Sequence, residues 1–250
     1  MPNSVDEMTE RMLDDAGIEP GMRVLDIGCG MGAVSLMLSR RVGNQGHVFA
    51  VDRNPHVIEL AREKARETGI SNLTFLEGGF DVTLPEHGML DAAVGRRVLM
   101  YQLDAVRAVG QLARAIRPGG IVAFHEHDTI AVKDNRTSLP LHDQVRSWLR
   151  KMLECEGANL HMGFELHRVL SAAGLAVERV RAEANVLTPT ADYPVAAIIR
   201  AVLPRILRHG IATETEIDVD TLDGRLAAER RETTATCLWE MVFCVWARKH

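Results

Sequence analysis

The 250 residues carry 29 basic and 34 acidic side chains, a formal net charge of −5 with neither sign gathered into a block, and only 4% aromatics. That disfavours a nucleic-acid clamp, which needs clustered Lys and Arg, and a base-stacking platform; four cysteines without C-x-x-C spacing (Cys29, Cys155, Cys237, Cys244) disfavour a zinc knuckle or a disulfide scaffold. With no signal-peptide pattern and no apolar run near eighteen residues, the chain is expected to be cytoplasmic with no membrane partner, and long enough for one large α/β domain with a cap.

Val5, Met8 and Met12 recur at helical spacing, which predicts a short amphipathic helix over 4–16, and Ile18 to Met22 turns the chain into a first strand. Val24-Leu-Asp-Ile-Gly28-Cys29-Gly30-Met-Gly32 follows. It is an apolar run with an acid inside it, then three glycines spaced two apart, then a helix from Ala33 to about Arg41. A turn of that composition lets main chain come close to a ligand at a helix N-terminus. Asp52 stands twenty residues beyond Gly32, just after a second apolar run, His47 to Val51. A carboxylate there suits the hydroxyls of a ribose, so the stretch reads as a nucleoside-cofactor site. Gly28, Gly30 and Ala33 also satisfy G-x-G-x-x-G/A, which keeps an NAD(P)-dependent oxidoreductase open as an alternative. Asp26 favours instead a cofactor that carries an ammonium and a sulfonium centre.

The pattern D-x-G-x-G-x-G over Asp26–Gly32, with Asp52 after the second strand, closely resembles the class I S-adenosylmethionine-dependent methyltransferases. The resemblance implies S-adenosyl-L-methionine as cofactor. It also implies an α/β, Rossmann-like, seven-stranded, mostly parallel sheet with an antiparallel last strand, plus a helical cap. Asp26, Gly28, Cys29, Gly30, Gly32, Asp52 and Arg53 then belong to the cofactor site.

Val57, Ile58, Ala61 and Ala65 form the buried stripe of the next helix, Gly69 ends it, and Leu73 to Leu76 is strand three. Strands and helices alternating at this interval predict right-handed crossovers in a parallel sheet. Glu77 to Pro85 departs from the family, where many members have Gly-Asp-Ala-x-x-Leu-Pro with the Asp facing the adenine. Counting back from Leu84-Pro85 puts Phe80 at that Asp. Either Phe80, beside Gly79, packs on the adenine, or a shift of one residue presents Asp81; the first reading is preferred. After strand four (Leu90 to Val94), the resemblance sets Arg96 against the cofactor carboxylate and lets Tyr101 reach the reacting centre. The plainer alternatives are a surface charge at Arg97 and a packed aromatic with a wet hydroxyl at Tyr101.

Val106, Val109, Ala113 and Ile116 mark a helix, stopped by Arg117-Pro-Gly-Gly120, a tight turn into strand five at Ile121 to Phe124. That turn is the second family likeness. Together the matches cover roughly 20–128 and look most like the small-molecule branch that includes the ubiquinone and menaquinone C-methyltransferases. The second half reads as an amphipathic helix through Leu141, Val145, Trp148, Leu149 and Met152, a helix from Phe164 to Ala173, and a half-exposed sixth strand from Ala176. Thr188 to Arg231 holds two or more helices, one carrying Pro204, that serve as a second cap or as a homodimer surface. Leu238 to Ala247 is the last strand. The expected division is a cofactor-binding core over 1–128, a cap over 129–160, a core helix and strand over 161–187, a second cap or dimer insertion over 188–236, and the final strand over 237–250.

His125-Glu126-His127-Asp128 stands at the C-terminal end of a central strand, where a base is useful. Alternating side chains send 125 and 127 to one face, 126 and 128 to the other. Histidine titrates near the operating pH, so His127 is the candidate base, with Glu126 or Asp128 orienting substrate or cap. A structural network tying the strand to the cap, and a metal site completed by His142 or His161, remain open beside it, though neither histidine has a diagnostic spacing and no metal is assigned. His56, His87 and His209 read as solvated. The expectation is methyl transfer to a small-molecule acceptor at O, N or C, with a cofactor-binding protein that transfers no methyl (a rearrangement catalyst or a complex subunit) as the alternative.

Overall fold

The computed structural model describes residues 4–84, 89–128, 138–190 and 195–250; Pro85 and His87, which entered the sequence reading, lie outside them. The elements run α1 (Ser4–Ala16), β1 (Arg23–Ile27), α2 (Ala33–Val42), β2 (His47–Asp52), α3 (Pro55–Glu67), β3 (Leu73–Glu77) and β4 (Leu90–Arg96). A single 3-10 turn (Leu99–Tyr101) leads to α4 (Ala105–Arg114), β5 (Ile116–Asp128), α5 (Pro140–Cys155), α6 (Met162–Ala172) and β6 (Leu175–Leu187). Then come α7 (Val195–Arg208), α8 (Glu214–Ile217), α9 (Leu222–Thr233) and β7 (Cys237–Lys249).

One seven-stranded sheet has the order β3-β2-β1-β4-β5-β7-β6. The first five strands pair in parallel, and β7 lies antiparallel between β5 and β6, as the sequence led one to expect. The parallel strands are apolar on both faces: Val24, Leu25, Ile27, Val48 to Val51, Ala92 to Val94 and Ile121 to Phe124 are all buried. Such runs need cover on both sides. Met8, Met12 and Leu13 of α1 pack in one cluster with Val34 and Leu38 of α2 and with Trp246 of β7. Leu36 of α2 joins Ile58, Ala61 and Ala65 of α3 and Phe75 of β3 in another. Strand order reverses beside β1, where Ile27 aligns with Val51 on one side and Gly95 on the other. Crevices at such reversals, outside the C-terminal strand ends, are where open α/β sheets take ligands.

One boundary differs from expectation. The helix before strand five stops at Arg114, and β5 starts at Ile116 rather than at Ile121. Leu90 aligns with Ile116 and Ala92 with Ile121, so Arg117 to Gly120 bulges out opposite the single residue Asp91. Asp91 holds the bulge: one oxygen accepts from Arg117 Nε at 2.7 Å and the other from the Arg23 amide at 2.9 Å. A β-carbon at Gly120 would stand 2.4 Å from Ile116 Cγ2 and 2.8 Å from the Asp91 carbonyl, so the bulge closes only over glycine. The Pro-Gly-Gly signal marked a bulge inside a strand, which periodicity does not separate from a turn before one.

The chain divides into two compact units, one of residues 1–127, 162–183 and 242–250, the other of 128–161 and 184–241. Among the described residues no helix is long and apolar enough to cross a membrane.

Candidate active site

Three left-handed glycines, Gly28 (φ 73°), Gly30 (φ 52°) and Gly32 (φ 78°), carry the chain from β1 into α2. The amides of Gly28 and Cys29 both donate to the Val51 carbonyl, at 2.8 and 2.9 Å, which locks the turn to the end of β2. The glycines face different surroundings. A β-carbon at Gly28 would collide with Val98, and one at Gly32 would press on Ala61 and Phe75, but one at Gly30 would meet nothing within 4 Å. Gly30 therefore presents bare main chain to open space. Asp52 stabilises it: Oδ2 accepts from the Gly30 amide and Oδ1 from the Asn54 amide, both at 2.9 Å. A carboxylate offers about four lone-pair sites, and these two amides leave the others open to a ligand's donors.

Asp26 is buried and accepts from the Ser35 hydroxyl at 2.5 Å, which ties β1 to the first turns of α2. Burial pushes its carboxyl up to about 6 against the lowering effects of Ser35 and Arg96. Cys29 is buried, and its thiol is driven far above the ordinary range by that burial, so it contributes main chain and no thiolate. Arg53 is exposed, with its guanidinium lying over Gly79, where a β-carbon would fall 2.9 Å from Nε. Phe80 is buried and Asp81 exposed. Both line a cavity of about 370 Å³ with Leu25, Gln111, Leu112 and Arg114, and none of the three turn glycines is in its walls.

Arg96, at the end of β4, faces α1: Nη1 donates to Asp6 at 2.7 Å and to Thr9 Oγ1 at 3.2 Å. Thr9, fully buried, gives its own hydroxyl proton to the Val5 carbonyl at 2.9 Å and lies 3.0 Å from His125 Nδ1. A hydroxyl has one proton, so His125 donates through Nδ1. Glu126 is buried, and its Oε1 accepts from the amides of Val98 and Leu99 at 2.8 and 2.7 Å. Burial raises its carboxyl to about 7, while those amides and the charge of Arg97 pull the other way. Arg97 is thus half-buried beside a carboxylate rather than a plain surface charge. His127 is 8% exposed at the end of β5, and Tyr101 is 43% exposed on the 3-10 turn.

In the other unit, Asp128 is buried and pairs with His161 Nδ1 at 3.0 Å, while His142 is held between Glu229 at 2.6 Å and Arg230 at 3.0 Å. Among the described residues no three His, Cys, Asp or Glu side chains gather as a metal-ligand set.

The methyltransferase-domain family profile matches residues 18–174, more than half of the chain. The chain belongs to the class I S-adenosylmethionine-dependent methyltransferase family. Within that family it is 34% identical over 117 residues to aklanonic acid methyltransferase DauC from Streptomyces sp. strain C5, covering 47% of this chain and 53% of that one. It is 32% identical over 109 residues to the ubiquinone/menaquinone biosynthesis C-methyltransferase UbiE of Vibrio campbellii, covering 43% and 42%. This family member thus spans about half the length of the curated relatives it matches. Its fold is that of the geranyl diphosphate C-methyltransferase from Streptomyces coelicolor A3(2), with a TM-score of 0.59 at 18% identity over 98% of this chain and 79% of that one.

Ser35, Asp6, Thr9 and Val98 enter this constellation without having been singled out in the sequence. Ser35 had a signal: nine residues after Asp26, it lies within the first turn of the helix that the glycine turn launches. The other three meet the strand ends only through tertiary packing, which no local pattern encodes.

Proposed function

We propose that this chain transfers a methyl group from S-adenosyl-L-methionine to the O, N or C nucleophile of a small-molecule acceptor. The observation that carries this is the Asp52–Gly30 pairing. One carboxylate stabilises bare main chain that faces open space and keeps lone pairs for a ribose, at the point where the strand order reverses. When bound, the cofactor supplies an electrophilic methyl on a sulfonium centre. The chain's own residues then do the placing. Asp52 holds the ribose side, with Arg53, Gly79 and Phe80 toward the adenine, and the guanidinium fork of Arg96 takes the amino-acid carboxylate. Asp26 supplies negative charge beneath the turn. Excluding water and aligning a nucleophile is worth about 7–11 kcal/mol in effective-molarity terms. His127 removes the acceptor's proton, for a gain of about two to four decades where the acceptor must lose one, and Tyr101 orients the acceptor. The mild net charge and scarce aromatics support a small-molecule acceptor over nucleic acid, and the absence of a membrane-spanning helix among the described residues fits a cytoplasmic enzyme. Residues 188–236 are the surface proposed for a homodimer.

Incubating the chain with methyl-labelled cofactor and a metabolite extract, then following labelled products and S-adenosylhomocysteine by mass spectrometry, tests this reading. Acceptor-dependent release of S-adenosylhomocysteine is expected. Tight cofactor binding with no transfer to any acceptor would make the chain a rearrangement catalyst or a complex subunit.

A further inference from the structure

Glu126 is committed to main chain on the loop after β4. Its Oε1 is engaged by the amides of two consecutive residues, Val98 and Leu99, and its Oε2 is buried with no hydrogen-bond partner among the described residues. The loop it grips is strained. Arg97 stands at φ 54°, a left-handed conformation that a non-glycine residue keeps only where its surroundings enforce it. The Arg97 amide donates to the His125 carbonyl at 2.9 Å, so three successive amides, 97 to 99, are held by two successive residues of β5.

The side chain this loop carries is Val98. Its Cγ2 stands where a β-carbon on Gly28 would lie at 2.4 Å, and its Cγ1 where one on Gly95 would lie at 2.9 Å. Val98 is therefore a wedge seated between two side-chain-free positions, one at the end of β4 and one at the first glycine of the ligand-facing turn. We infer that Glu126 is a positioning residue for the cofactor turn, acting through the 97–99 main chain and the Val98 wedge on Gly28. This rests on the cofactor reading above for what the turn binds, but not for the mechanical link itself. A carboxylate is well suited to the task because one oxygen accepts two amides at once. The charge of Arg97 beside it offsets part of the cost of burying it.

The test uses the full chain with Glu126→Ala, Glu126→Gln, Val98→Ala and the Glu126→Ala/Val98→Ala double variant. The first readout is amide exchange at Gly28, Cys29 and Gly30 without ligand, with the rest of β1 and β2 as internal control. The second is calorimetric affinity for S-adenosylhomocysteine. Glu126→Ala and Val98→Ala are each expected to speed exchange of those three amides and to weaken binding about tenfold, within the range by which residues that do not touch a ligand modulate its site. Glu126→Gln, which keeps the accepting oxygen, should stay within about twofold of wild type. The double variant should lose little more than the worse single one, because both lie on one path. Losses that multiply, or turn amides as protected in Glu126→Ala as in wild type, would overturn the positioning role. If Glu126→Ala does not fold, the Val98→Ala and Glu126→Gln results decide alone: unchanged turn exchange in Val98→Ala, or a tenfold loss in Glu126→Gln, overturns it. Wild type failing to bind S-adenosylhomocysteine while the exchange pattern holds would sink the cofactor reading and leave the mechanical link standing.

Discussion

Two acids flank the glycine turn, and their surroundings give them different duties. Asp52 is half-buried and holds the Gly30 amide, so Asp52→Ala removes both a support of the turn and the proposed ribose acceptor. Lost charge-assisted hydrogen bonds of this kind cost about 1–3 kcal/mol, and calorimetry with S-adenosylhomocysteine should show an affinity loss of that size. Asp26→Ala should weaken the same affinity by a similar amount. Asp26 also burdens the fold. Its folded pKa of about 6 lies above the unfolded 3.8, so the unfolded chain gives up the proton first. The resulting penalty is absent below about pH 3.8, grows between 3.8 and 6, and is constant above that. A shift of that size amounts to about 2–3 kcal/mol. Asp26→Asn, whose carbonyl still accepts from Ser35, should therefore melt higher than wild type at pH 7.5 while binding the cofactor less well. The stability gain should shrink as the pH is lowered to 4.5, and a gain independent of pH would show that the charge was not its source.

At the scale of elements, helices α1 and α5 are anchored by partners distant in sequence, and those anchors bear on stability. The leading helix α1 was legible from Val5, Met8 and Met12, but not that Thr9 on its buried side would satisfy His125 and share Arg96 with Asp6. Thr9→Val keeps the shape and strips the hydroxyl from a fully buried site, which should cost about 1–3 kcal/mol in thermal unfolding. Asp6→Ala removes a partly exposed ion pair and should cost less than about 1 kcal/mol. In α5, Glu229 of α9 accepts from the amides of Leu141 and His142 and from the His142 ring, so a neighbouring helix serves where a local cap is missing. Burial holds His142 below its usual pKa, more than Glu229 raises it. Burial alone would lift Glu229, but the His142 ring and the two amides hold it down. Both folded values are depressed, so the stability they add is full above about pH 6.5 and falls on acidification, first through His142 and then through Glu229. Hydrogen exchange in 140–155, corrected for intrinsic rates, should accelerate from pH 7.5 to 5.5; equal protection at both would refute the coupling. The strands, helices and glycine turn could be read from sequence because each is set by local periodicity and backbone freedom. The duties of Glu126, Arg97 and Thr9 could not, because each depends on a partner 27 to 116 residues away. The Pro-Gly-Gly bulge was misplaced because its partner, Asp91, lies on another strand.

The whole molecule is built so that segments far apart in sequence converge on one sheet, with β7 from the C-terminal stretch inserted between β5 and β6. The unit that holds the glycine turn is assembled from three stretches, 1–127, 162–183 and 242–250, and the other unit from the two stretches between them. Neither can be excised as one continuous segment, so ligand effects have to be read on the intact chain. A ligand that binds only the folded form stabilises it by about 2.7 kcal/mol at a concentration a hundred times its Kd. For a chain of this size each kcal/mol moves the midpoint by about 2–4 °C. Saturating S-adenosylhomocysteine should thus raise the unfolding midpoint by about 5–10 °C, and the shift should grow with the logarithm of ligand concentration. The converging segments also say where the protection should appear. The amides that donate to Val51 and Asp52, and those gripped by Glu126, belong to the turn and its support and should slow in exchange on ligand addition. Those of α5 and α9 belong to the other unit. Asp52→Ala should remove about a third to nine-tenths of the midpoint shift at the same ligand concentration, the span set by an affinity loss of about 1–3 kcal/mol, while leaving the ligand-free midpoint within a few degrees. If NAD raised the midpoint in place of S-adenosylhomocysteine, the carboxylate and glycines would be serving a dinucleotide.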